Sequence, residues 1–341
     1  MKYKSLGKTG VKVSELCLGT MIFGRQVDEA SSIKIIKRAV DAGVNFIDTA
    51  NVYAEGRSEE IVGKAIDGMR ESIVLATKVR GRMGLGPNDE GLSRKHIMRS
   101  VEASLKRLGT DHIDLYQVHR TDPTTPLRET LTALNDLVRA GKVHYIGCSN
   151  FPAWQVEKAL WISDVNGLES FVTVQPRYNV IDREVERELL PLCVEEGLGV
   201  IPYSPLAGGF LTGKYQPGRP PPEGTRFQLR PEWLSQSFTP RNQAVLQELE
   251  KLSKETGMTM GQLSLAWLLA NPAVTSPIIG ASKLEQLEEN LQVVDRPLPV
   301  EALNRISEVS KPDWLREQEE REARMRAFRE REQRPWTATA T

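Results

Sequence analysis

Four side chains of this chain can hold or move a proton and stand at matched places in its pattern: Asp48, Tyr53, Lys78 and His119. Asp48 ends the short apolar run Phe46-Ile47, and Tyr53 follows five residues later in a loop. Lys78 ends the apolar run Ile73 to Thr77, and His119 ends the run Ile113 to Val118. A buried ammonium at Lys78 needs a counter-ion, and Asp48 can supply it. A positive charge beside a phenol favours the phenolate, so Tyr53 would be an efficient general acid toward an oxygen becoming an alkoxide. His119 can hydrogen-bond the same oxygen and orient it. No nucleophile or flavin pattern accompanies these groups. His96, His112, His119 and His144 show no H-x3-H spacing, and Cys17, Cys148 and Cys193 no Cys-x2-Cys spacing, so no metal site is expected. Protonating a carbonyl oxygen without a covalent intermediate calls for a hydride donor.

The elements that must position these groups repeat eight times. After a hairpin flanking Gly7 to Gly10, apolar segments end at Gly19-Thr20, Asp48, Lys78, His119, Ser149-Asn150, Gln175, Tyr203-Ser204 and Gly280-Ser282. Each is followed by a helical period, with starts such as Ser93 and Pro126 and stops such as Gly43 and Gly141. Helices are expected over 28–42, 93–108, 126–140, 152–163, 183–196, 241–256, 259–270 and 283–293, besides the run opening at Ser58 with Glu59 and Glu60 in its dipole-favoured first turn. Near-continuous apolar strands alternating with helices imply a parallel sheet, and eight of them imply a closed α/β barrel of the (β/α)8 (TIM) type. A doubly wound open sheet is the competitor. It lacks a strand followed by G-x-G-x-x-G, since the glycines at 81, 84 and 86 are wrongly spaced. Residues 1–310 read as one barrel domain with a long Pro/Gly-rich loop after the seventh strand. Residues 311–341 read as a charged helical extension with a disordered end.

Composition sets the class. The chain has 341 residues, no formal net charge and 26% charged residues, which argues against nucleic acid or an anionic membrane as its main partner. No apolar run approaches membrane-spanning length, and the N-terminus lacks a signal-peptide core. Three distant cysteines fit reduced thiols and a cytoplasmic location.

In a barrel the strand ends converge on one mouth. There the amides and hydroxyl of Ser149, Asn150 and Gln175 could hold a carboxamide, and Tyr203 offers a face to a planar ring, which are the needs of nicotinamide. Gly208 to Lys214 matches P-loop spacing up to its lysine, but Tyr215 stands where a Ser or Thr would hold magnesium. The glycines would instead let the chain fold over a cofactor while Lys214 and Arg226 neutralise a diphosphate. The amides opening the helix from Lys283 would meet an anion, with Ser282, Lys283 and Gln286 placed for a 2′-phosphate.

Several motifs carry a resemblance. D-T-A-x-x-Y at Asp48 to Tyr53, Thr77-Lys78, Leu115-Tyr116-Gln117-Val118-His119, Gly147-Cys148-Ser149-Asn150 and G-A-S-x-x-E-Q-L-x-E-N at Gly280 to Asn290 occur in the order of the aldo-keto reductases. The chain resembles that family over roughly residues 2 to 294, and within it the bacterial and plant reductases related to voltage-gated potassium channel beta subunits. The resemblance implies a catalytic tetrad of Asp48, Tyr53, Lys78 and His119, and NADP(H) extended across the mouth. It places Gly19, Thr20, Asp48, Ser149, Asn150, Gln175, Tyr203, Ser204, Leu206, Gly208, Lys214, Arg226, Gly280, Ser282, Lys283, Gln286, Glu289 and Asn290 about that cofactor. It implies NADPH-dependent reduction of aldehydes and ketones, with an NADP(H)-sensing regulatory subunit as the alternative. Met21-Ile22-Phe23 would wall the substrate. Arg80, Arg82 and Arg120 would either favour an anionic aldehyde or be solvated loop residues. The oligomeric state stays open.

Overall fold

The computed structural model describes residues 1–229 and 231–332, with Arg226, Leu229, Pro231 and residues 330–332 described in backbone only. The hairpin forms first along the chain: β1 (Tyr3–Ser5) pairs antiparallel with β2 (Lys12–Ser14). The strand and helix units then follow as β3 (Cys17–Gly19), α1 (Glu29–Asp41), β4 (Phe46–Asp48), α2 (Arg57–Ile66), β5 (Val74–Val79), α3 (Arg94–Leu108), β6 (Ile113–Val118), α4 (Leu127–Arg139), β7 (Val143–Ser149), α5 (Ala153–Asn166), β8 (Phe171–Gln175), α6 (Leu189–Glu195) and β9 (Gly199–Val200). Three helices, α7 (Pro231–Ser237), α8 (Pro240–Thr256) and α9 (Met260–Leu269), precede β10 (Ile278–Ile279) and α10 (Leu284–Leu291).

Eight strands pair in parallel in the order β10-β3-β4-β5-β6-β7-β8-β9. The two ends of this order meet. The Thr275 N–H donates to the Val200 carbonyl at 2.8 Å and the Ile278 N–H to the Pro202 carbonyl at 2.8 Å, which brings the ring together as a (β/α)8 barrel. Two prolines shorten the closing strands relative to their apolar runs. Pro202 and Pro277 have no N–H for the ladder, so β9 stops at Val200 and β10 starts only at Ile278. A proline also delays α6, expected from residue 183. The Pro191 ring would clash with the carbonyl four residues earlier, and only a separate turn at Glu184–Glu186 precedes Leu189.

Side chains alternate across each strand. Ile47, Leu75, Tyr116, Val118, Ile146, Cys148 and Val174 face outward into the core shared with the helices. Cys17, Phe46, Val74, Ala76, Leu115, Ile201 and Ile278 fill the barrel's lower interior, and Leu6 and Val13 of the hairpin plug its floor. The plug needs Gly7, whose φ is +58°. A Cβ there would lie 2.3 Å from the Val172 carbonyl oxygen. Beyond the barrel, α11 (Val300–Val309) packs on α8, and α12 (Asp313–Glu332) extends outward, exposed throughout residues 316–329. The end of the 311–341 extension, expected to be disordered, falls among residues 333–341, which lie outside the described residues.

Candidate active site

The inward positions just above the apolar floor are polar. Phe46 leads two residues later to Asp48, Ala76 to Lys78, Leu115 to Gln117 and Thr173 to Gln175, and His119 follows Gln117 on the same face. Strand pairing fixes their heights: Lys78 is opposite Gln117, and Ser149 opposite Gln175.

Lys78 lies at the centre, with its side chain wholly enclosed. Its ammonium donates to the Asp48 carboxylate and, at 2.8 Å, to the Thr49 carbonyl, and stands 3.3 Å from the Tyr53 hydroxyl. Burial pushes its pKa down. The charge of Asp48, then Tyr53, outweighs this, so the group titrates above its ordinary value and stays an ammonium. The second Asp48 oxygen accepts from Gln117 at 3.0 Å and Gln175 at 2.9 Å. The His119 ring meets Tyr53 edge-on, centroids 5.7 Å apart. Burial, then Lys78, Arg120 and Arg80, push the imidazole down to about 3, so it is neutral at physiological pH.

The Tyr53 loop is held from below. The Ser58 hydroxyl lies 2.9 Å from that of Thr20 and 3.0 Å from that of Thr49, and donates to the Thr20 carbonyl. Glu59 lies in the first turn of α2 as expected, and is fully buried there. It accepts from the Thr77 hydroxyl and from Arg107, both at 2.6 Å, because α3 packs directly against α2. Above this base Ala54 and Glu55 have φ of +48° and +57°, conformations that cost non-glycine residues about 1–2 kcal/mol each. Their persistence shows how firmly the loop's two ends are fixed.

The residues expected to line a cofactor are disposed around the rest of the mouth. Asn150 donates to the His119 carbonyl at 3.0 Å and to the Ser149 hydroxyl at 2.9 Å, and accepts from the Tyr203 hydroxyl at 2.8 Å. Ser149 donates to the Gln175 carbonyl. Thr20 and Ser149 are fully enclosed, so a ligand reaches either only if the residues above them move. Gly19 packs where a Cβ would come 2.5 Å from Ile278. Ser204 takes a φ of +54°, Leu206 packs half-buried on the core, and Gly208 takes a φ of +68° in a short turn of helix. That turn, with Tyr215 buried and donating to the Gly208 carbonyl, has no strand-to-helix P-loop geometry. Lys214 is exposed, its ammonium 5.3 Å from the Tyr215 ring centroid, and among the described residues no carboxylate pairs with it. The Arg226 side chain lies outside the described residues.

At β10, Gly280 is exposed and Gln286 folds back, its carbonyl oxygen accepting from the Ser282 N–H at 2.8 Å and hydroxyl at 3.0 Å. Lys283 is the exposed N-cap of α10, and no side chain caps that helix. Glu289 is engaged elsewhere, accepting from Thr259 at 2.6 Å, while Asn290 is buried. Of the three arginines, Arg82 pairs with Glu90 away from the tetrad, whereas Arg80 and Arg120 have no such partner among the described residues. Gln117 was not anticipated, although the period of two from Leu115 to His119 announces its direction. Nor was the grouping of His112, Asp114 and His144, which comes from neighbouring strands near their starts and in which Arg70 already holds Asp114.

A buried lysine–aspartate pair at the bottom of a barrel mouth, with a tyrosine and a neutral histidine above it, has the chemistry to pass a proton to an oxygen. The sequence model of the Aldo/keto reductase family matches residues 15–311. An uncharacterized oxidoreductase, YrpG, of Bacillus subtilis is 42% identical over 320 residues, 91% of this chain and 96% of its own length. A probable voltage-gated potassium channel subunit beta of Arabidopsis thaliana is 42% identical over 86% of this chain and 92% of its own. The versiconal hemiacetal acetate reductase of Aspergillus parasiticus is 34% identical over 90% and 96%. The chain belongs to the aldo/keto reductase family. It is an oxidoreductase of carbonyl groups, in a family that works with a nicotinamide cofactor. Among the described residues no helix is long and apolar enough to cross a membrane.

Proposed function

We propose that this protein reduces small aldehydes and ketones to alcohols with NADPH, Tyr53 acting as general acid and Asp48, Lys78 and His119 completing the catalytic set. The observation that carries this reading is the contact set of Lys78: an enclosed ammonium held by Asp48 and Thr49, with the Tyr53 hydroxyl 3.3 Å away. NADPH, when bound, supplies the hydride. Tyr53 passes its proton to the carbonyl oxygen as that oxygen gains charge, and Lys78 stabilises the phenolate left behind. Asp48 keeps Lys78 charged, and Gln117 and Gln175 keep Asp48 aimed at it. His119, being neutral, orients the carbonyl oxygen by a hydrogen bond and adds no positive charge of its own.

The donor set around the mouth suits the cofactor. Ser149, Asn150 and Gln175 are assigned to the carboxamide, which their enclosed and mutually bonded groups meet once the residues above them move, and Tyr203 offers a ring face, with Gly19, Thr20, Ser204, Leu206 and Gly208 beside them. Among the described residues no carboxylate pairs with Lys214, which suits a diphosphate, and Arg226 is assigned to the same group. At α10 the Gln286 oxygen already receives the Ser282 N–H and hydroxyl, the two donors an anionic oxygen would use. With Lys283 adjacent, this favours the 2′-phosphate of NADPH over NADH. Gly280, Glu289 and Asn290 would adjoin the adenosine.

The similarity to a potassium channel beta subunit supports a second reading, an NADP(H)-sensing regulatory subunit. Steady-state turnover separates the two. The purified protein should consume NADPH when given 4-nitrobenzaldehyde or methylglyoxal. Tight cofactor binding with negligible turnover of any carbonyl would favour the sensor.

A further inference from the structure

Arg80 and Arg120 follow Lys78 and His119 at the exits of neighbouring strands, paired as far as Val79 and Val118. The arginines around them are neutralised: Arg82 by Glu90, Arg94 by Asp136 and Arg99 by Asp89. Among the described residues neither Arg80 nor Arg120 has a carboxylate within ion-pair distance. The acid nearest Arg120 in sequence, Asp122, is engaged by the Leu92 N–H and by Thr124 and Thr125. Arg80 is further marked by its backbone, at φ +139° with its carbonyl held by the Gly91 N–H at 2.9 Å. Among the described residues its Nε is sealed from solvent with no acceptor. A sealed donor without a partner is unfavourable and is relieved when an acceptor arrives.

We propose that Arg80 and Arg120 form an anion-binding lip over the reacting carbonyl, making carbonyl compounds that carry a carboxylate the preferred substrates; the inference rests on the reductase reading above. The pairing of Val79 with Val118 sets the two arginines side by side just beyond Lys78 and His119, and both guanidiniums push the His119 imidazole down. The lip is distinct from the groups assigned to cofactor phosphates. Lys214 follows β9 and Ser282 follows β10, each three strands around the ring from the β5–β6 pair. A carboxylate gains charge-assisted hydrogen bonds there that a neutral analogue cannot make.

The test compares kcat/KM for 4-carboxybenzaldehyde and 4-nitrobenzaldehyde in the wild type and in the Arg80→Gln/Arg120→Gln double variant. The ratio should favour the carboxylate in the wild type, narrow as salt rises, and fall about ten- to a hundredfold in the variant. In parallel, benzoate and benzamide are titrated calorimetrically against NADPH-loaded protein. Benzoate should bind more tightly, and only in the wild type. An unchanged kcat/KM ratio in the variant, or equal binding of the two ligands to wild type, overturns the lip. A benzoate preference without turnover of either aldehyde would uphold the lip and sink the reductase reading.

Discussion

Replacing Asp48 by asparagine changes one oxygen to an NH2 group and exposes how the site is held. Lys78 is entirely enclosed and the Asp48 side chain 3% exposed, so water cannot take over the lost charge. The amide also faces a geometric conflict. If its oxygen meets the Gln117 and Gln175 donors, its nitrogen confronts the Lys78 ammonium; if reversed, two amide donors oppose its nitrogen. Removing one partner of a buried ion pair costs about 3–5 kcal/mol, which for a chain of this size lowers Tm by roughly 4–7 °C. Lys78 would also lose the charge that holds its pKa up against burial. The assay is thermal unfolding of Asp48→Asn, Lys78→Met and the double variant Asp48→Leu/Lys78→Met, beside their turnover. Both single variants should be destabilised and inactive. The double variant should be inactive yet more stable than either single, because no uncompensated charge remains. An Asp48→Asn protein as stable as wild type, or a double variant no better than its parents, would refute the claim that this pair is enclosed and mutually dependent.

Three further outcomes follow from the geometry. The His119 pKa is about 3 in the fold against about 6.5 in an unfolded chain, so the unfolded state binds the proton more readily between those values. Its share of stability is intact above pH 6.5 and is lost as pH falls toward 3, at up to about 1.4 kcal/mol per pH unit. His119→Asn should therefore flatten the acid limb of a Tm-against-pH curve, and an unaltered limb would contradict the assignment. Gly7→Ala should lower stability by about 2 kcal/mol or more in urea unfolding, from a positive φ combined with the clash at Val172. Lys283→Ala should weaken NADPH about ten- to a hundredfold by fluorescence titration while leaving NADH nearly unchanged; equal wild-type affinities for the two cofactors would show the adenosine end misplaced.

The barrel was legible because apolar runs and helix caps recur in a fixed alternation, with a polar residue at or just beyond the end of most of the runs. Three departures from the expected elements trace to prolines, at Pro191, Pro202 and Pro277, while α5 runs three residues past its expected end and α7 and α11 were not expected. The convergence of Asp48, Tyr53, Lys78 and His119 was legible for a different reason: chemically distinctive residues at or just beyond strand ends need no knowledge of side-chain packing to be placed at one mouth. Packing decided what was missed. Glu59 looks like any first-turn acid until α3 brings Arg107 onto it. Gln117 carries no charge to attract notice, yet its hydrogen bond orients Asp48. Thr20 and Ser149 stand at strand ends but are sealed by residues distant in sequence, and Glu289 is drawn to Thr259 on another helix.

The central claim, that Tyr53 delivers the proton, is tested most directly by a single turnover. NADPH is first bound to the wild type and to Tyr53→Phe, with its affinity measured for each, and excess 4-nitrobenzaldehyde is then mixed in while NADPH absorbance is followed. The account predicts unchanged NADPH affinity and a rate of oxidation lower by about a hundred- to ten-thousandfold in the variant. A Tyr53→Phe protein that oxidises bound NADPH as fast as the wild type would contradict it.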